Sequence, residues 1–212
     1  MKCAKKLLKV WDDLTPFKSI IYFLFLLFFF HFSWKIAIDG DRKGNQIFLF
    51  GEEITIEWLQ HTFPEWLANS AACFVHLFPG MKDLVVNGIR LVYPENVGTT
   101  AIVWGCTGVK QMMIFVGIMV FYKCFALIKN PNGKGYVFRF LPYWNKLWYI
   151  PLGCIILTLY NIIRIGSISM LTRLYPDKFD FFHDGIFRYI YYGIVFILWV
   201  VWEEVFVQKK KT

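Results

Sequence analysis

Residues 17–38 read FKSIIYFLFLLFFFHFSWKIAI, and two lysines and one histidine are the basic residues in this run of apolar, aromatic and small side chains. About 20 apolar residues in an α-helix are enough to cross the hydrocarbon core of a bilayer, which is roughly 30 Å thick. The segment therefore predicts a transmembrane helix. Charged residues rather than small ones follow it, so no signal-peptide cleavage site is evident.

The rest of the chain has the same character. Hydrophobic residues make up 57% of the 212 residues and aromatic residues 20%, with a mean hydropathy of +0.47. This composition leaves too little polar surface for a soluble globule. Three further apolar segments, 108–128, 147–171 and 185–207, have the length of a span. The sequence predicts a single all-α integral membrane domain over residues 1–212, with about four transmembrane helices.

Two segments between the first and second predicted spans differ from the spans. Residues 54–78 are apolar but carry Glu57, His61 and Glu65 at about one-turn intervals, which predicts an interfacial or re-entrant helix with one wet face. Residues 79–104 contain short β-branched runs separated by Gly, Asn and Pro. This pattern predicts an extracytoplasmic loop with one or two short strands.

The formal net charge is +8, and the basic residues cluster in the leader 1–18, the loop 129–146 and the tail 208–212. Lys and Arg beside apolar spans set orientation by the positive-inside rule, so all three clusters are expected in the cytoplasm. Four crossings satisfy that requirement. The same placement argues against nucleic-acid binding.

This topology brings three polar side chains to the outer side of the membrane. Cys106 lies at the outer mouth of the second predicted span, and His183 immediately precedes the fourth. Arg164 lies about 25 Å along the third span, at 1.5 Å rise per residue, which is near the outer leaflet. The three residues are far apart in sequence but are expected at one level.

Cys106 and Arg164 each have a functional and an ordinary interpretation. Cys106 precedes a predicted helix capped by Thr107, and a helix N-terminus favours a thiolate nucleophile. Alternatively it is a small residue in a tight loop, or a disulfide partner of Cys73. An arginine within a span normally faces a partner or a wet cavity, and Asn161, one turn earlier, could orient it. Otherwise Arg164 extends to the outer headgroups.

His183 titrates near neutral pH and can carry a proton to or from a thiol or an amine. Asp180 and Asp184 could fix its tautomer, or the ring is an ordinary interfacial side chain. The five cysteines show no CxxC and no metal-ligand spacing, so neither a redox dithiol nor a metal site is predicted.

Three short motifs at the outer ends of the spans carry a resemblance. Gly-Cys-Thr-Gly at 105–108, Asn-Ile-Ile-Arg at 161–164 and Phe-His-Asp-Gly at 182–185 occur in this order, each beside a span. Together they resemble the exosortase/archaeosortase family of membrane transpeptidases. The likeness covers residues 97–207. The family often has serine after its cysteine, and Thr107 keeps the hydroxyl.

The resemblance implies sortase-like chemistry at the extracytoplasmic face of the cell membrane, with both termini in the cytoplasm. Cys106 would attack a peptide bond before the C-terminal membrane anchor of a secreted protein, which is the expected partner besides the lipid bilayer. Arg164 would stabilise the oxyanion and His183 would protonate the leaving amine, with Asn161, Thr107 and Asp184 in support. A lipid or a surface glycan precursor would accept the acyl group, and no cofactor is required.

Other classes fit the sequence less well. A phosphatidic-acid-type phosphatase could use Arg173 and His183 in one outer loop, but its Pro-Ser-Gly-His element is absent. A quinone-linked disulfide oxidoreductase needs a cysteine pair, and a rhomboid-type protease needs more than the isolated Gly-Ser-Ile-Ser at 166–169. A non-catalytic membrane scaffold for surface polysaccharide or protein export explains the hydropathy but leaves Arg164 unexplained.

Overall fold

The structure, a computed structural model, describes residues 17–39, 45–94, 99–122, 125–129, 136–140, 144–179 and 181–207. For residues 39, 125–129, 136–140 and 184 it describes the backbone alone. The predicted basic leader before Phe17, the tail from Gln208 onwards, and the residues Cys3, Cys124 and Asp180 lie outside the described residues.

Among the described residues, three helical segments are long and apolar enough to cross a membrane, which indicates a membrane protein. They are α1 (Lys18–Ala37), α4 (Lys146–Leu174) and the segment Phe181–Val207. The last segment consists of α5 (Phe187–Trp202) between two π-helical turns, Phe181–Ile186 and Glu203–Val207. At 1.5 Å rise per residue, the 20 residues of α1 extend about 30 Å, the thickness of a hydrocarbon core.

The predicted span 108–128 is shorter than expected. Its helix, α3, runs from Val109 to Phe121, or about 20 Å, and the backbone becomes extended at Tyr122. The Lys146 ammonium donates hydrogen bonds to the carbonyls of Val120 (3.3 Å) and Tyr122 (2.9 Å). Because these carbonyls have no partner within the helix, the lysine stabilises the C-terminal end of α3 at this position.

A β-hairpin follows α3 where the sequence predicted the end of a span and a basic loop. Strands β7 (Phe125–Lys129) and β8 (Tyr136–Phe140) pair antiparallel, with Phe125 opposite Phe140 and Lys129 opposite Tyr136. The sequence between them contains Asn-Gly, which is the strongest short-range signal for a hairpin between two β-prone runs.

Two more antiparallel sheets make the protein mostly helical rather than purely α. The first follows α1 and contains β1 (Ile38–Asp39), β2 (Ile47–Leu49) and β3 (Glu52–Ile54). The second contains β4 (Val85–Asn87), β5 (Arg90–Val92) and β6 (Thr99–Ala101). The loop 79–104 therefore has three strands where one or two were predicted. Each sheet is a meander of strands of two or three residues, in which strands that are neighbours in sequence pair antiparallel.

The segment 54–78 forms a π-helical turn, Trp58–Thr62, that continues into α2 (Phe63–Val75). The buried face of α2 packs on α4. A Cβ at Gly166 of α4 would lie 2.7 Å from the ring of Phe74, so the glycine permits this close approach. Glu57, His61 and Glu65 are exposed, and the interfacial or re-entrant placement of this segment stays a prediction.

The helices alternate in direction, so their ends meet in two groups. At one end the buried Glu203 accepts hydrogen bonds from Ser19 (2.9 Å) and Tyr122 (2.8 Å), which joins the start of α1, the end of α3 and the residues after α5. The start of α3 and the start of the Phe181–Val207 segment meet at the opposite end, where Cys106 and His183 lie.

Candidate functional site

Cys106 lies in a tight turn immediately before α3. Its N–H donates to the carbonyl of Val103 (2.8 Å), and the Thr107 N–H donates to the carbonyl of Trp104 (3.1 Å). The Thr107 hydroxyl also donates to the Trp104 carbonyl. The prediction that Thr107 caps α3 is therefore wrong: Gly108 is the N-cap, with φ of 78°, and Thr107 instead stabilises the turn that carries the cysteine.

Trp104 anchors this turn to a distant segment. Its side chain is 5% exposed, its backbone N–H donates to the side-chain oxygen of Asn45 (2.9 Å), and its indole N–H donates to the carbonyl of Gln46 (3.0 Å). Asn45 is held in turn by Gln60, whose side chain donates to the Asn45 carbonyl (2.7 Å). The residue before Gly105-Cys106 is thus fixed by contacts that no local motif predicts.

His183 reaches Cys106 from the π-helical turn before α5. Its Nε2 lies 3.7 Å from the Cys106 Sγ, within hydrogen-bonding distance for sulfur, although 77 residues separate the two in sequence. The ring of Phe179 stacks on the imidazole at a centroid distance of 5.1 Å and an angle of 12°. The stacking restricts the tilt of the imidazole ring.

Asn161 and Arg164 on α4 lie behind the cysteine turn. Asn161 is fully buried, and its amide donates to the Cys106 carbonyl (3.0 Å). The Arg164 guanidinium donates from Nη1 to the Asn161 side-chain oxygen (3.3 Å), and the residue is 8% exposed. Arg164 is therefore buried within the protein rather than extended to a surface. Its Nε is buried without a hydrogen-bond partner among the residues that the structure describes.

Gly108 brings the start of α3 close to α4 and α5. A Cβ at this position would lie 2.6 Å from the Tyr191 hydroxyl and 3.2 Å from Cγ of Asn161. Tyr191 is fully buried and donates to the carbonyl of Leu157 (3.1 Å). The close approach lets Asn161 reach the Cys106 carbonyl, so the glycine has a structural role in the site.

The alternative roles of Cys73 and Arg173 receive no support. Cys73 is exposed and is not joined to Cys106 by a disulfide. Arg173 forms an ion pair with Asp83 (2.7 Å) and lies 4.7 Å from the ring centroid of Tyr93, so it attaches the β4–β6 sheet to α4. Burial raises the pKa of the Tyr93 phenol above its usual value.

The described part of the chain contains no group of three or more His, Cys, Asp or Glu side chains that could hold a metal ion. Among the predicted supporting residues, Asp184 has its backbone but not its side chain described, so its role stays a prediction. The site therefore consists of a thiol, an imidazole, a buried amide and a buried guanidinium. This set can form a covalent acyl intermediate and stabilise negative charge.

Comparison with protein-family models, with curated proteins and with solved structures finds no match for this chain.

Proposed function

We propose that the chain is a membrane cysteine transpeptidase or peptidase of exosortase/archaeosortase type. It would cleave the C-terminal membrane anchor of secreted proteins and transfer them to a surface acceptor. The observation that carries the proposal is the 3.7 Å separation of Cys106 Sγ and His183 Nε2. A nucleophile within reach of a base, beside a third group that orients or stabilises, is the general arrangement of nucleophilic catalysis.

In the first half-reaction the thiol proton passes to Nε2 of His183, and Sγ attacks the carbonyl carbon of the scissile peptide bond. The oxygen becomes negatively charged, and the buried Arg164 stabilises it. The C–N bond then breaks, the amine takes the proton from His183, and a thioester on Cys106 remains. The anchor leaves as a new N-terminal amine.

In the second half-reaction an acceptor hydroxyl, amine or water attacks the thioester. His183 takes the acceptor proton, the C–S bond breaks, and the proton returns to the departing thiolate. Atoms and electrons balance without an external oxidant or reductant. A lipid or a surface glycan precursor is the proposed acceptor, and water gives simple hydrolysis.

The proposed site faces the extracytoplasmic side of the cell membrane, with both termini in the cytoplasm. The basic clusters before the first span, at 129–146 and after the last span support this orientation by the positive-inside rule. The helix ends that carry Cys106 and His183 meet opposite the ends joined by Glu203. A secreted protein held by its last span presents the bond before that span at the outer surface, where such a thiol can reach it.

The test compares cells that carry the wild-type chain, Cys106→Ala or the control Cys73→Ala, which alters the exposed thiol on α2. Mass spectrometry quantifies secreted proteins that still retain their C-terminal membrane anchor, which consists of a short sorting motif, an apolar span and a basic cluster. We expect retained anchors with Cys106→Ala alone. Processing at the wild-type rate by Cys106→Ala would end the catalytic proposal and favour the scaffold. An equal loss with Cys73→Ala would indicate a disulfide instead.

A further inference from the structure

An apolar groove lies between α1 and α3. Its volume is about 340 Å³, within the range of about 300–1,000 Å³ that is common for small-molecule sites. Apart from Ser33 and Trp34, the residues that line it are apolar or glycine. A hydrocarbon chain, which makes no hydrogen bonds, is the kind of ligand that suits such a lining.

Three basic residues lie in terminal turns of three helices at one end of the bundle. Lys35 is in the last turn of α1, Lys110 in the first turn of α3 and Arg188 in the first turn of α5. These are the helix ends that meet on the Cys106 side. In the proposed orientation this side is extracytoplasmic, where the positive-inside rule does not place Lys and Arg. Their presence there therefore calls for an explanation other than orientation.

A contact between α1 and α5 brings the three basic residues together. Nδ1 of His31 lies 3.0 Å from the Tyr192 hydroxyl. Lys35 is one turn after His31, and Arg188 is one turn before Tyr192, so both lie one turn from this contact towards the same end of the bundle. The charges of Lys110, Lys35 and Arg188 all act on the His31 ring. Three positive charges from three helices are thus gathered around one point.

The cluster of Lys35, Lys110 and Arg188 is continuous with the groove on both of the helices that form it. On α3, the groove residues Met113 and Gly117 follow Lys110 by three and seven residues, so they share its helix face. On α1, the groove residue Ile38 follows His31 by seven residues and shares its face in the same way. The positive charges therefore lie at the outer end of the groove.

The size of the groove and the charge at its end together favour a lipid as its occupant. Two turns of a helix about 10 Å wide, at a pitch of 5.4 Å, would fill about 850 Å³, more than twice the volume of the groove. A hydrocarbon chain is narrower than a helix. A lipid with a phosphate headgroup supplies both the chain for the groove and the anion for the cluster.

We propose that the groove binds one hydrocarbon chain of a membrane lipid, and that Lys35, Lys110 and Arg188 bind the phosphate of its headgroup. Lysine and arginine donate charge-assisted hydrogen bonds to phosphate oxygens, and basic pockets between transmembrane helices bind anionic headgroups. Because Lys110 is four residues after Cys106, the headgroup lies beside the cysteine turn. The inference goes beyond the proposed function and does not depend on it, since binding requires no turnover.

The test measures lipid binding without any reaction. The full-length protein, purified in detergent, is titrated with palmitoyl-oleoyl phosphatidylglycerol, which is anionic, or with palmitoyl-oleoyl phosphatidylcholine, which has the same chains and no net charge. Native mass spectrometry of the complexes gives an apparent Kd for each lipid. We expect the anionic lipid to bind at least about tenfold more tightly, since each basic residue near an anionic headgroup contributes about fivefold.

Substitutions in the cluster locate the headgroup. Lys35→Gln, Lys110→Gln and Arg188→Gln should each raise the Kd for phosphatidylglycerol about fivefold, and the triple variant should bind both lipids equally. Lys178→Gln is the matched control, because it removes a charge after the end of α4, where the ammonium lies 5.9 Å from the Tyr175 ring centroid. It should change the Kd less than about twofold.

Substitutions in the groove locate the chain. Ala37→Phe places a ring in the groove without a change in charge and should raise the Kd for phosphatidylglycerol at least about fivefold, because the chain and the ring compete for one space. Thermal unfolding checks that the variant is folded. If it is not, Met113→Trp, at an exposed residue of the groove lining, carries the same expectation.

Equal Kd values for the two lipids in the wild-type protein would overturn the inference. A preference that survives in the triple variant, or an equal loss with Lys178→Gln, would overturn it by placing the headgroup elsewhere. If the groove variants bind lipid normally but leave anchors on secreted proteins in cells, the groove holds the substrate's anchor helix and the inference is wrong. None of these Kd values bears on the proposed function, which is tested separately through Cys106.

Discussion

A methyl group added at Gly108 would disturb the candidate site through two separate effects. The φ of 78° lies in the left-handed region, and the new Cβ would be 2.6 Å from the Tyr191 hydroxyl and 3.2 Å from Cγ of Asn161. Real Cβ atoms do not approach other atoms as closely as 2.6 Å, so the Tyr191 side chain, α5 or α3 must shift. A shift of α3 or Asn161 loosens the hydrogen bond from Asn161 to the Cys106 carbonyl.

The two effects differ in size and can be separated. An alanine in the left-handed region costs about 1–2 kcal/mol, and overpacking a tight core adds about 1–3 kcal/mol. Gly108→Ala should therefore lower the free energy of unfolding by about 2–5 kcal/mol. Gly88 has a φ of 58° and open space around it, so Gly88→Ala should cost the first 1–2 kcal/mol alone. The difference between the two variants measures the contact at the site.

Chemical denaturation of the detergent-solubilised protein gives both free energies. A third variant, Tyr191→Phe, removes the hydroxyl that the new Cβ would meet, so Gly108→Ala should cost less in that background than in the wild type. If Gly108→Ala is no less stable than Gly88→Ala, or if Tyr191→Phe leaves its cost unchanged, the close packing argued for Gly108 is wrong.

Three further substitutions separate positioning, charge and scaffold roles. Asn161→Leu removes the hydrogen bonds that Asn161 makes with the Cys106 carbonyl and with Arg164 Nη1, at about 1–3 kcal/mol each, so denaturation should show a loss of about 2–6 kcal/mol; a loss below 1 kcal/mol would contradict this. Arg164→Lys keeps the charge but loses the planar fork, and the rate of thioester formation should fall about 10²- to 10³-fold; an unchanged rate would exclude an oxyanion role. Arg173→Met breaks a partly exposed ion pair with Asp83 and the contact with the Tyr93 ring, so denaturation should show a change of at most about 2 kcal/mol with normal acylation, and lost acylation would contradict this structural role.

The sequence predicts the long helices well and the end of α3 poorly. The helices α1 and α4 follow from apolar runs of membrane length, a property of each segment alone. Residues 123–128 are also largely apolar, so composition extends the span beyond Phe121. The helix ends where Lys146, 24 residues after Tyr122, takes the last carbonyls. A contact between distant residues decides that boundary, and a hydropathy pattern does not contain it.

Some features of the candidate site could be predicted from the sequence and others could not. Alternating helix directions were enough to predict that Cys106 and His183 lie at one end, and the side chains are 3.7 Å apart. The N-cap was predicted at Thr107 because its residue type favours caps, but the left-handed backbone at Gly108 takes that place. The contact of Tyr191 with the start of α3 depends on packing between helices, so its sequence position carried no signal.

The most direct test of the central claim is to detect the acyl group on Cys106 itself. Protein isolated from its own cells is trapped in acid and digested with trypsin, and the peptide Leu91–Lys110 is analysed by mass spectrometry before and after hydroxylamine, which cleaves thioesters. The account predicts a substrate-derived acyl adduct on Cys106 that hydroxylamine removes and that is absent from Cys106→Ala. The adduct should increase in His183→Ala if this substitution slows the second half-reaction more than the first. Anchor processing by the wild-type protein with no adduct on this peptide in either the wild type or His183→Ala would contradict it.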